Sequence, residues 1–224
     1  MKKQPFKLSA LLLLFLMVSC DCGPDVLLGQ VYLTETSKNS FPYSGKETLI
    51  FKNQDGEETK FYGENSRETR PLSITVKNIC TNGKFDNSRE YYESEMETVV
   101  FFDQNGNQQF YANLNVVVDE KTAGSDDIRF FDYLFIRSSI DKDFTFGDIN
   151  LIVDERGNQV DVDQQPFHEL YSRYIGDTTL YEKSFEDIYQ STDYHNTSVF
   201  FNYSEGIIAY AFPDSTYLVL DRIE

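Results

Sequence analysis

Four times in this sequence a run of aromatic and β-branched residues gives way to a short polar stretch closed by glycine. The segments are Thr48-Leu-Ile-Phe-Lys-Asn-Gln-Asp-Gly56, Thr98-Val-Val-Phe-Phe-Asp-Gln-Asn-Gly106, Asn150-Leu-Ile-Val-Asp-Glu-Arg-Gly157 and Ser198-Val-Phe-Phe-Asn-Tyr-Ser-Glu-Gly206. Phe, Val and Ile suit a pleated, half-buried surface. Asn, Asp and Ser ahead of the glycine suit a turn, and glycine takes the left-handed position that closes a bulged hairpin loop. The pattern predicts four β-hairpins. Their glycines fall 50, 51 and 49 residues apart.

A second correspondence extends the first. Val76-Lys-Asn-Ile-Cys80 and Phe185-Glu-Asp-Ile-Tyr189 share one order of residue types, and each precedes the second hairpin of its half. Asn115-Val-Val-Val-Asp119 and Tyr217-Leu-Val-Leu-Asp221 close the two halves. The chain therefore reads as two duplicated β units, residues 26–120 and 121–224, either separate domains or halves of one sheet system. Further strands are expected at Leu28–Thr34 and Arg129–Arg137. A short helix is expected over Pro166–Tyr174, where Phe167, Leu170 and Tyr174 recur at helical spacing. Ser88–Met96 fits either helix or loop. The expected class is mainly β, with antiparallel hairpins forming a sheet, a sandwich or an open barrel, and a minor helix.

The N-terminus carries a different signal. Lys2, Lys3 and Lys7 precede the apolar run Leu8–Val18, and Ser19 and Cys20 follow. A basic segment, an apolar core eleven residues long and a small residue before the cut make a secretory signal peptide over residues 1–19. The run is shorter than the ~20 residues that cross a bilayer. Leu16-Met17-Val18-Ser19-Cys20 resembles the lipobox of bacterial lipoproteins. That resemblance implies that the Cys20 thiol accepts diacylglycerol and that cleavage leaves acylated Cys20 at the mature N-terminus. Several acyl chains on one residue anchor stably, where a single chain binds only marginally. Residues 20–25 then form a short tether. Cys22 and Cys80 remain, either as a disulfide, which an oxidising envelope permits, or with Cys80 as a buried free thiol.

Charge narrows the list of partners. The formal charge of −17 becomes −20 once Lys2, Lys3 and Lys7 leave with the signal peptide. Nucleic acid demands clustered Lys and Arg, so it is excluded. Docking on anionic headgroups through a basic face is excluded on the same ground.

The residues offer few starting points for catalysis. His168 and His195 are the only histidines, and neither sits in a metal-ligand spacing. No Gly-x-Ser-x-Gly elbow is present, and Cys80 has no activating context. Before Gly56 and Gly106 the first position of a calcium loop is Phe51 or Phe101, and Asp161-Val-Asp163 is too short to serve. No catalytic residue, cofactor site or metal site is therefore assigned. Asp177-Thr-Thr179 and Asp214-Ser-Thr216 resemble a short O-glycosylation sequon of Bacteroidota envelope proteins, but a three-residue pattern is weak and both are read as ordinary polar turns.

Phe185 to Tyr189, Val199 to Tyr210 and Tyr217 to Asp221 together resemble the C-terminal pattern of uncharacterised envelope lipoproteins of Bacteroidota, over roughly the last forty residues. The resemblance implies an address and a β fold and brings no activity with it. The sequence thus points to a lipid-anchored envelope protein, on the periplasmic face or the cell surface. It would be a non-catalytic binding or structural module, held at the membrane and meeting another envelope component. Two alternatives stay open. One is a carrier of a lipophilic ligand in a β-sheet cavity lined by Phe130-Phe131 and Phe200-Phe201. The other is a hydrolase using a carboxylate pair.

Overall fold

The computed structural model describes residues 23–82, 86–139, 146–158, 172–191 and 197–224. The fold is mainly β: an antiparallel sheet curled into a half-barrel, with one minor helix. In chain order the elements are β1 (Val26–Gln30), helix α1 (Glu35–Ser40), β2 (Thr48–Lys52), β3 (Glu58–Gly63), β4 (Glu68–Asn82), β5 (Asp86–Asp103) and β6 (Gln109–Val118). They continue as β7 (Phe130–Ser139), β8 (Phe146–Asp154), β9 (Arg173–Leu180), β10 (Lys183–Gln190), β11 (Ser198–Asn202), β12 (Gly206–Ala211) and β13 (Tyr217–Ile223). The sheet order is β8-β7-β6-β5-β3-β2-β13-β12-β11-β10-β9, and β1 and β4 both pair with β5 off this path.

The two halves predicted from the repeats contribute to one sheet. β6 pairs with β7 along its whole length, and β13 pairs with β2, so hydrogen bonding is continuous between them. The Ile79 strand β4 lies beside β5, and the Ile188 strand β10 beside β11. Their environments differ: Ile188 is wholly buried, whereas Ile79 is 47% exposed.

All four turn glycines have positive φ, from 66° at Gly106 to 83° at Gly206. Gly56, Gly106 and Gly206 join β2 to β3, β5 to β6 and β11 to β12 as hairpins. Gly157 closes a turn after β8, and the partner arm predicted for it falls outside the described residues. Asx geometry sets two of these turns. Asn53 Oδ1 accepts from the amides of Asp55 and Glu57, and Asp103 Oδ1 from those of Asn107 and Gln108.

Three local expectations change. Ser88–Met96 is neither helix nor loop but the first half of the 18-residue β5, held by β4 on one side and β1 on the other. The predicted helix over Pro166–Tyr174 fails at its end, because Arg173 and Tyr174 open β9; residues 166–171 lie outside the described set. Asp177-Thr-Thr179 is strand rather than turn. Strand pairing decided these cases: Tyr91 and Tyr92 stand opposite Thr75 and Ile74, Tyr174 opposite Tyr189, and Thr178 and Thr179 opposite Phe185 and Ser184.

The half-barrel's interior is filled with rings. Tyr43, Phe51, Phe61, Phe101, Phe110 and Tyr210 are almost wholly buried. Phe101 stacks on Phe110 at 4.6 Å, and Tyr43 meets both at 5.3 and 5.6 Å. β6 supplies Phe110, Ala112, Leu114 and Val116 at alternate positions, the period-2 pattern of a strand with one face inward. The curl brings distant strands together. Ser172, just ahead of β9, exchanges hydrogen bonds with Asn150 of β8 at 2.9 and 3.1 Å. Gly147 of β8 faces Val199 of β11 so closely that any Cβ there would collide with the Val199 methyl.

Candidate functional site

Where the sheet curls, the segment after β1 crosses the ends of β7 and β8, and a charged network fixes it there. Arg156 stands in a turn at φ 54°. Its Nε and Nη2 donate to Asp132 Oδ1 at 2.9 and 2.6 Å, and Nη2 also donates to the Tyr32 carbonyl. Asp132 is fully buried. Its other oxygen accepts from the Thr34 amide at 3.0 Å and lies 2.9 Å from the Thr34 hydroxyl. Asp154 Oδ2 stands 2.8 Å from the same hydroxyl, and Asp154 Oδ1 accepts from the Arg156 amide at 2.7 Å. Thr34 also caps α1, its side chain accepting from the Ser37 amide.

Asp132 and Asp154 are thus two carboxylates converging on one hydroxyl, the geometry closest to the pair that the hydrolase alternative requires. Their surroundings make them a clamp instead. Both Asp132 oxygens are occupied by donors. The Arg156 amide and then the Thr34 hydroxyl hold the Asp154 carboxyl below its usual range.

A second charged cluster lies under α1. Glu95 and Glu97 point from β5 towards the helix; Lys38 Nζ lies 2.8 Å from Glu95 and Arg67 Nε lies 3.2 Å from Glu97. Burial pushes the Glu97 carboxyl up, and Arg67 and then Lys38 pull it back down in part. Arg67 also donates to the Lys38 carbonyl at 3.1 Å and stacks over Phe41, 5.5 Å from its ring centre. An open groove of about 400 Å³ runs beside it, lined by Phe41, Pro42, Tyr43, Ser44, Lys46, Ser66 and Arg67.

Two surface features stand apart from these clusters. Tyr174, 59% exposed, opens a ladder of rings that runs inward through the half-buried Tyr189 and Tyr203 to the buried Phe201, with centres 5.3–5.6 Å apart, and Tyr174 donates to Asp187 at 2.9 Å. Beside β5, off the main path of the sheet, Val26, Leu27 and Leu28 of β1 are 42, 46 and 40% exposed.

Of the residues singled out from sequence, Cys20, Cys22, His168, His195, Asp161 and Asp163 lie outside the described residues, as does the side chain of Cys80. Phe130, Phe131, Phe200 and Phe201, assigned to a cavity wall in the carrier alternative, are buried packing residues. Among the described residues no three His, Cys, Asp or Glu side chains are grouped to hold a metal ion. Sequence reading missed the clamp altogether. Thr34, Asp132 and Arg156 are separated by 98 and 24 positions and share no local motif; only the Thr34-Glu35…Lys38 capping signal was there to find. Comparison of the chain with known family models, with curated proteins and with solved structures finds no match.

Proposed function

We propose that this protein is a lipid-anchored envelope module, acylated at Cys20, which presents the outside of its curled sheet to another envelope component and performs no catalysis. The observation that carries the reading is the basic–apolar–Val-Ser-Cys order, followed within six residues by the first strand of the domain. The fold supports it. Among the described residues the inward face of the sheet is packed with its own aromatic rings, which suits recognition through outer surfaces. The clamp at Asp132 and Arg156 has the chemistry of a structural tie. The mature charge of −20 keeps such a domain in solution beside the membrane.

Two measurements test the proposal. Incorporation of labelled fatty acid in the native host, with and without Cys20→Ala, reads the anchor. In-cell cross-linking through probes placed on the Tyr174–Tyr203 ladder reads the partner: one recurrent envelope protein supports the reading, and turnover of a polymer or ester by the purified domain contradicts it.

A further inference from the structure

We propose that the apolar residues of β1, together with Ile79 of β4, rest in the surface of the bilayer that holds Cys20, so that the strand next to the anchor is itself a membrane contact. This inference rests on the lipid-anchor reading above. It commits to the headgroup–acyl boundary of an uncharged or zwitterionic phospholipid layer as the occupant.

Register brings the residues together. β1 runs parallel to β5 with Val26 opposite Glu90 and Leu27 opposite Tyr91. On the far side of β5, β4 places Lys77 opposite Glu90 and Asn78 opposite Arg89, and Ile79 falls in the bulge that follows. Val26, Leu27, Leu28 and Ile79 therefore share the outer end of a three-stranded layer, β1-β5-β4, about two strand spacings (~10 Å) across. Exposure of these four ranges from 40 to 47%.

Neighbouring side chains on a strand point to opposite faces. Val26 and Leu27, both exposed, thus present the two faces of β1 at once, and Leu28 lies at the register shift that follows them. A protein partner laid on one face would leave the other bare. A fluid apolar phase receiving the end of the layer covers both.

The tether limits where this end can be. Five residues separate Cys20 from Val26, and the six steps between them span roughly 20 Å at full extension. Because β1 is parallel to β5, the chain enters from the end of β5 that lies farthest from its pairing with β3 and β6. With Cys20 in the bilayer, that outer end is the part of the domain drawn against it. Charge fits the placement. Asp25, next to Val26, is paired with Arg89 at 3.0 Å, so the acid at the start of β1 is matched in a chain whose net charge is strongly negative. The contact is one of apolar burial and owes nothing to anionic lipid.

The test uses the full chain, acylated in its host and reconstituted into phosphatidylcholine vesicles containing a phospholipid with a photoreactive group near its glycerol. Labelled peptides are mapped by mass spectrometry. The proposal expects label on the peptide holding Val26–Leu28 and on that holding Ile79, at least fivefold above peptides of β12 and β13, and unchanged by high salt. Val26→Ser/Leu27→Ser/Leu28→Ser, checked for folding by circular dichroism, and separately Ile79→Ser, each lower that label severalfold while Cys20 acylation stays intact. Acylated protein labelled only around Cys20 overturns the membrane contact and leaves the anchor standing. Cross-links between copies through β1 assign the edge to a second chain and overturn it equally. An unacylated Cys20 on a protein that does not float with vesicles defeats the anchor and the contact together.

Discussion

Arg156 reaches across from the turn after β8 to give two hydrogen bonds to one oxygen of Asp132, a carboxylate with no solvent exposure. A buried charge of this kind is held by its partner and not by water. Removing the partner costs more than the pair gains by existing. Arg156→Ala should destabilise the domain by about 3–5 kcal/mol, read as a fall in urea midpoint. Asp132→Asn/Arg156→Met should recover part of that loss. Equal stability of Arg156→Ala and the parent would show that the clamp contributes nothing.

Tyr43 and Gly206 form a second tie between distant parts of the chain. The Tyr43 hydroxyl accepts from the Ile207 amide at 2.6 Å, and any Cβ on Gly206 would collide with the Tyr43 ring. Gly206 and Gly56 have nearly equal positive φ, 83° and 79°, but Gly56 faces open space. Gly56→Ala should cost the left-handed strain alone, about 1–2 kcal/mol. Gly206→Ala should cost clearly more, and Tyr43→Phe about 1–3 kcal/mol for the amide left unpaired. Thermal or urea unfolding of the three variants decides the order.

Acid titration should separate the two carboxylate clusters. Burial raises the Glu97 carboxyl above its ordinary 4.5, so the folded state takes up that proton first. Glu97 therefore favours folding more below its raised value than above it, and Glu97→Gln should gain on the parent as pH rises from 4 to 7. Asp154 behaves oppositely. Its carboxyl is depressed below 3.8 by the Arg156 amide and the Thr34 hydroxyl. Its contribution is present above 3.8 and is lost as pH falls through the depressed value. The deficit of Asp154→Asn should be full at pH 7 and shrink only below pH 4. Urea midpoints at several pH values check both slopes.

The sheet was legible in the sequence because hairpins are written locally. Asn53, Asp103 and Asn202 each accept from nearby turn amides, and the glycine that follows takes positive φ. Strand neighbours within a half were legible for the same reason. What joins the halves was not. The pairing of β13 with β2 and the crossing of Thr34 to Asp132 link residues far apart in the chain, and a local motif records neither. β5 was misread because Tyr91, Tyr92, Glu93 and Glu95 lack a clean apolar–polar alternation. The strand is covered on parts of both faces, by α1 through Glu95 and by Phe130 through Tyr92. The acid clusters stayed hidden among 37 acids that differ only in what three dimensions set against them.

Acylation of Cys20 is the centre of the account, and labelled-fatty-acid incorporation with membrane fractionation in the native host tests it most directly. The parent protein should carry label and sediment with membranes, its mature N-terminus at Cys20. Cys20→Ala should lose the label and leave the membrane fraction, while Cys22→Ala should leave both unchanged. Undiminished label and membrane association in Cys20→Ala would contradict the anchor, and with it the reading of this domain as a module held at a bilayer.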